Sequence, residues 1–148
     1  MFHSQETTMI RHAALAGLLI AAPVMGFAAT AHFHATLNGT TEVPATSSTG
    51  AGTLEATLDT TTMALDYTLT WSGLTGPATM AHFHGPAAPG KNAGVQVVIG
   101  GTGPSSPVHA TATLTADQMA QLDHGMWYVN VHSKKFPKGE IRGQVAKQ

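Results

Sequence analysis

From residue 32 onward the chain alternates. Phe33, Ala35 and Leu37 interleave with His32, His34, Thr36 and Asn38, the period of two that puts apolar side chains on one strand face and polar ones on the other. The pattern returns in Gly52, Leu54, Ala56 and Leu58 against Thr53, Glu55 and Thr57, and again in Leu65, Tyr67, Leu69 and Trp71 against Asp66, Thr68 and Thr70. Turn residues from Asp59 to Thr62 join these two runs, so they read as an antiparallel hairpin with one wet face. Thr41-Glu42-Val43-Pro44 reads as a turn or edge segment, because proline cannot donate to a ladder. The spacing predicts further strands at Thr79–His84, Val95–Ile99 and Val108–Leu114 and two closing strands, at Tyr128–His132 and Glu140–Val145. In the closing pair Val129 and Val131 align with Ile141 and Val145 only if Tyr128, Asn130 and His132 group with Glu140, Arg142 and Gln144 on the opposite face.

One segment breaks the β pattern. Thr115-Ala116-Asp117-Gln118 has the form of a capping box, Met119 and Leu122 have helical spacing, and Gly125 is a C-terminal stop. Seven or eight short strands with regularly spaced turns and one short helix predict an all-β fold, an antiparallel Greek-key sandwich or barrel.

Composition narrows the partners. Charged residues are 10% of the 148 and the net charge is −1, so no basic stripe points to nucleic acid. With no cysteine there is no disulfide and no thiolate ligand; a metal must rely on nitrogen, oxygen or methionine sulfur. At the N-terminus, Arg11 and His12 precede the apolar run from Ala13 to Ala22, and both Gly26-Phe27-Ala28 and Ala29-Thr30-Ala31 fit small-x-small cleavage. That arrangement predicts a signal peptide over 1–31, cleaved near 28–31, and one domain over 32–148, exported to the periplasm or secreted, with no membrane span in the mature form. Cleavage after Ala31 would make His32 amino-terminal, its amine and ring able to chelate copper beside His34.

Candidate chemistry collects on the two closing strands and the strand at 79–84. His82 and His84, two apart, share a face with Phe83 behind them. His132 adds a third imidazole, and imidazoles suit copper and zinc. Asn130, Glu140 and Arg142 form an adjoining polar cluster. The structural alternative has His82 and His84 bonding loop backbone while Asn130 and Arg142 pair with Glu140, or Arg142 with Glu42. Met80, on the face of His82, is a soft donor or a packing residue. The Gly85–Gly94 segment is a loop placed to shape the site. His-Phe-His occurs at 32–34 and again at 82–84; the surroundings differ, so it is not an internal repeat.

Phe33-His34-Ala35-Thr36-Leu37-Asn38-Gly39, Glu42-Val43-Pro44, Gly50-Ala51-Gly52, Ala81-His82-Phe83-His84-Gly85-Pro86, Leu122 with Gly125, Tyr128-Val129-Asn130-Val131-His132-Ser133 and Gly139-Glu140-Ile141-Arg142-Gly143-Gln144-Val145 together resemble the CHRD domain, first named from chordin. The resemblance implies a β-sandwich outside the cytoplasm and brings no established activity. A weaker similarity is to copper–zinc superoxide dismutase. It implies His82, His84 and His132 as copper ligands and Arg142 as an anion-guiding arginine, without the bridging histidine, zinc cluster or disulfide of that enzyme.

The leading reading is an exported binding module for an extracytoplasmic protein or glycan, not an enzyme. The alternatives are a copper-binding envelope protein and a copper-only dismutase-like oxidoreductase. No nucleophile or proton-transfer dyad supports hydrolysis, and copper is the one candidate cofactor.

Overall fold

The computed structural model describes residues 29–148. The predicted signal peptide lies outside them up to residue 28. β1 (Thr30–Asn38), β2 (Ala51–Asp59) and β3 (Ala64–Ser72) form a meander, followed by β4 (Ala78–His84), β5 (Val95–Val98) and β6 (Val108–Thr113). The helix α1 (Ala116–Asp123) precedes β7 (Tyr128–Ser133), β8 (Ile141–Gln144) and the two-residue β9 (Ala146–Lys147). All pair antiparallel in one nearly closed, barrel-like sheet, in the order β5-β4-β7-β8-β1-β2-β3-β6, with β9 beside β1.

The alternation explains the core. Phe33, Leu37, Leu54, Leu65, Leu69, Phe83, Val129, Val131 and Ile141 are fully buried and meet inside the curved sheet, where apolar area removed from water stabilises at about 25 cal/mol per Å². Tyr67 packs edge-on against Phe83, ring centroids 5.2 Å apart. The helix is capped as its sequence predicts: Thr115 accepts from the Gln118 backbone and the Gln118 side chain returns to the Thr115 N–H. Gly125 follows at a φ of +67°, the left-handed turn that suits glycine.

Three details differ from the sequence reading. β1 begins at Thr30, paired with Asp59, and Ala31 pairs with Leu58, so the strand starts two residues ahead of the boundary at 32. The 95–99 run, expected as an apolar strand, is an edge: Val95 and Val98 stand 50% and 58% exposed and only Ile99 is fully buried. β9 was not predicted; it follows Val145, whose N–H bonds the Trp127 carbonyl.

Candidate metal centre

The face of β4, β7 and β8 that points away from the core carries the site. Register sets His82 opposite Asn130, His84 opposite Tyr128, Met80 opposite His132, and Asn130 opposite Arg142. This is the grouping that the apolar pattern of the closing strands requires. Although it faces outward, it is not wet: His82, His84, Asn130, His132 and Arg142 are all under 9% exposed.

Cover comes from the Gly85–Gly94 loop and the segment after β1. Arg142 clamps the loop, its Nη1 donating to Asn92 Oδ1 at 2.9 Å and Nη2 to the Lys91 carbonyl at 2.7 Å. Asn92 in turn donates to the Val43 carbonyl at 2.9 Å, tying the two covering segments together. The guanidinium carbon sits 3.4 Å from the Tyr128 ring centroid, and the His84 ring stacks on Tyr128 at 4.8 Å and 3°. Stacking and planar bonding of this kind are what arginine does and lysine does not.

One ring nitrogen on each of two histidines is anchored by backbone. His84 Nδ1 donates to the Ala93 carbonyl and His132 Nδ1 to the Pro137 carbonyl, both at 3.0 Å. In a neutral ring that leaves a lone pair on His132 Nε2, the arrangement that orients a metal-binding imidazole, whereas His84 Nε2 faces the Asn130 Oδ1 acceptor and is a free lone pair only with that amide turned over. His82 Nδ1 lies 3.1 Å from His132 Nε2, and one ligand nitrogen from each of the three residues falls within 4.8 Å of the others. Nitrogens on one copper or zinc ion, at about 2.0–2.1 Å from it, stand no more than about 4.2 Å apart, so the rings must draw in and the His82–His132 contact must open for the set to hold an ion as a three-nitrogen site with an open position.

Electrostatics keep the rings neutral. Burial pushes His82 down to about 4, with help from His132 and His84 beside it. Burial also lowers His84 and His132, against the carbonyl bonds that favour their charged forms. Neutral rings are the form that ligates metal.

The polar cluster is rearranged relative to expectation. His84 Nε2 lies 3.1 Å from Asn130 Oδ1, and Asn130 Nδ2 donates to Glu42 Oε1 at 3.3 Å. Glu42 is 5% exposed, and burial raises its carboxyl above the usual range despite opposing bonds from Val43 and Asn130 and the charge of Arg142. Glu140, grouped by the sequence with Asn130 and Arg142, is elsewhere: it accepts from Ser48 at 2.6 Å and from the Thr75 N–H at 2.7 Å. Burial alone would raise the Glu140 carboxyl, but hydrogen bonds from Ser133, Ser48 and Thr75 outweigh it and the net shift is downward. Glu140 stands one residue before the β8 ladder begins, so the strand period does not hold its side chain to the face of Arg142.

Glycines make the close approaches possible. At Gly139, with φ +131°, a methyl would collide with the Glu42 carboxylate and come within 2.7 Å of Asn130 Nδ2. At Gly85 it would strike the Trp127 indole, 2.7 Å from Nε1. His32 and His34 join none of this: His32 Nδ1 meets Thr57 at 3.2 Å and His34 Nδ1 meets Glu55 at 2.8 Å on the exposed face of β1 and β2.

The family model of the CHRD domain matches residues 33–145, a span that runs from within β1 to beyond β8 and includes all three histidines of the site. The chain belongs to the CHRD-domain family. No curated protein and no solved structure matches it. In this CHRD domain Ser48 and Thr75, which hold Glu140, and Pro137, which holds His132, carry no sequence signal, because their contacts are made by loops whose path the alternation does not encode.

Proposed function

We propose that this CHRD domain is an exported copper-binding protein of the cell envelope or exterior, holding the ion on His82, His84 and His132. One observation carries the reading. Three buried, neutral imidazoles converge within 4.8 Å, and two of them are oriented by Nδ1 bonds to backbone carbonyls, which is the support that metal-binding histidines use. The absence of carboxylate and thiolate donors from the set suits copper, with zinc as its competitor.

Arg142 supports binding over dismutase turnover. It is 1% exposed and bonds the 91–92 loop through both Nη1 and Nη2, the posture of a clamp and not of an anion guide. Export rests on the N-terminal pattern. Cleavage after Ala28 is favoured within the 28–31 window, since it retains the Ala29 carbonyl that accepts from Thr60 N–H at 3.0 Å and the Thr30 and Ala31 pairings. Among the described residues no helix is long and apolar enough to cross a membrane.

The second reading, a module that docks an extracytoplasmic protein or glycan, is favoured by the exposed Val95 and Val98 on the unpaired edge β5. Untagged exported protein, titrated with copper and zinc and followed by electron paramagnetic resonance, separates the two. Uptake weaker than micromolar, or uptake unchanged in His84→Ala, overturns the copper reading and leaves the docking one. A superoxide-consumption assay on the copper-loaded protein is expected to show no turnover.

A further inference from the structure

Resting on the ion site proposed above, we infer that Met80 is its fourth ligand when the ion is monovalent copper, and that the site thereby selects reduced copper over divalent ions. Met80 stands directly across the β4–β7 ladder from His132 and two residues before His82, on the same face. Cross-strand partners carry Cβ atoms about 4.5–5.5 Å apart, and the flexible methionine stem lets its sulfur swing over that distance.

The usual reason for a methionine in a β domain is missing. Met80 is 40% exposed and is not among the side chains packed on the core. Of the four exposed large hydrophobic residues among those described, three are Met80, Val95 and Val98. Val98 is the register partner of His82 and Val95 that of His84. An apolar rim with one sulfur donor thus borders the three imidazoles.

Charge points the same way. Imidazole and thioether donors bring no charge of their own, and the Arg142 guanidinium lies beside the site, stacked on the Tyr128 ring on which His84 also stacks. A divalent ion there would keep both charges in partly buried surroundings, whereas a monovalent ion keeps one. The thioether is a soft, neutral donor that binds copper(I) well and adds little for copper(II) or zinc(II).

The test strips the exported protein of metal with a chelator and titrates it with copper(I) under ascorbate against bicinchoninate. Parallel titrations use copper(II) and zinc(II), for wild type, Met80→Leu and His84→Ala. Met80→Leu is expected to weaken copper(I) binding about tenfold while leaving both divalent ions within about twofold, and to remove a copper–sulfur shell from the X-ray absorption spectrum. Unchanged copper(I) affinity, or an equal loss for all three ions, overturns Met80 as a ligand and leaves the histidine site standing. Equal binding by wild type and His84→Ala overturns the site itself.

Discussion

The same tripeptide, His-Phe-His, sits on β1 and on β4, and the two copies come to different ends. Both phenylalanines are fully buried in the core, so both pairs of histidines face outward as the strand period dictates. On β1, His32 is exposed and the His34 side chain keeps 37% of its surface. Their neighbours there are Thr57, Glu55 and Thr36, and the β1-β2-β3-β6 face carries a shallow polar groove of about 520 Å³. On β4 each histidine is 8% exposed, because β7 supplies His132, Asn130 and Tyr128 and the Gly85–Gly94 loop closes over them. A histidine pair becomes a site through what neighbouring strands and loops bring to it.

The comparison breaks most decisively at the ligands. His84→Ala is expected to lower copper affinity more than about 100-fold, since a lost ligand costs more than a lost supporting partner; His34→Ala is expected to leave affinity unchanged, and a competitive titration reads both. Next is the clamp. Arg142→Met removes two charge-assisted bonds to the loop and is expected to cost about 2–3 kcal/mol in urea unfolding. Amide exchange should rise at residues 91–94 in the same variant.

Acid should separate the faces as well. His82 is held at about 4 in the folded protein against 6.5 for a free ring, so the unfolded chain binds more protons between those values. Its contribution is complete above pH 6.5 and fades as pH falls toward about 4. The metal-free protein is expected to lose on the order of 2 kcal/mol over that window in chemical denaturation at a series of pH values. His82→Asn should make the curve shallower, leaving the same-signed slopes of His84 and His132; Glu42, whose carboxyl is raised by burial, has the opposite slope over its own range and is left intact in that variant.

Glu140→Gln is expected to cost about 1–2 kcal/mol by weakening bonds from Ser48 and Thr75, with copper affinity unaltered; a loss of affinity would return Glu140 to the site. The smallest effect belongs to the exposed face, where Glu55→Ala, which breaks the contact with His34, should shift stability by no more than about 0.5 kcal/mol in the same unfolding assay.

Legibility followed the reach of each interaction. The β2–β3 hairpin, the Thr115 cap and the pairing of Asn130 with Arg142 were readable because they depend on neighbours in sequence or on a two-residue period along both partner strands. The fate of Glu140 was not readable, as its carboxylate is held by Ser48 and Thr75 on loops far away in sequence. Nor was the identity of the buried carboxylate at Asn130: Glu42 reaches it only because Gly139 leaves space for it. The strand at Val95–Val98 was readable but its edge position was not, since hydrophobicity reports tendency to be buried and not the presence of a neighbouring strand.

What the sequence determined by itself was therefore the alternation, and with it the core, the outward direction of the histidines on β1, β4 and β7 (His32, His34, His82, His84 and His132) and the register that brings three of them together. What only the tertiary structure decided was which outward face is dry. Burial of a polar face requires cover from distant chain, and here the cover is the Arg142-clamped loop and the Glu42–Thr46 segment, whose placement depends on single hydrogen bonds that no periodic pattern records. Buried, oriented imidazoles are a product of that cover, and they are why the metal site we propose lies on β4 while the β1 pair stays on a wet surface.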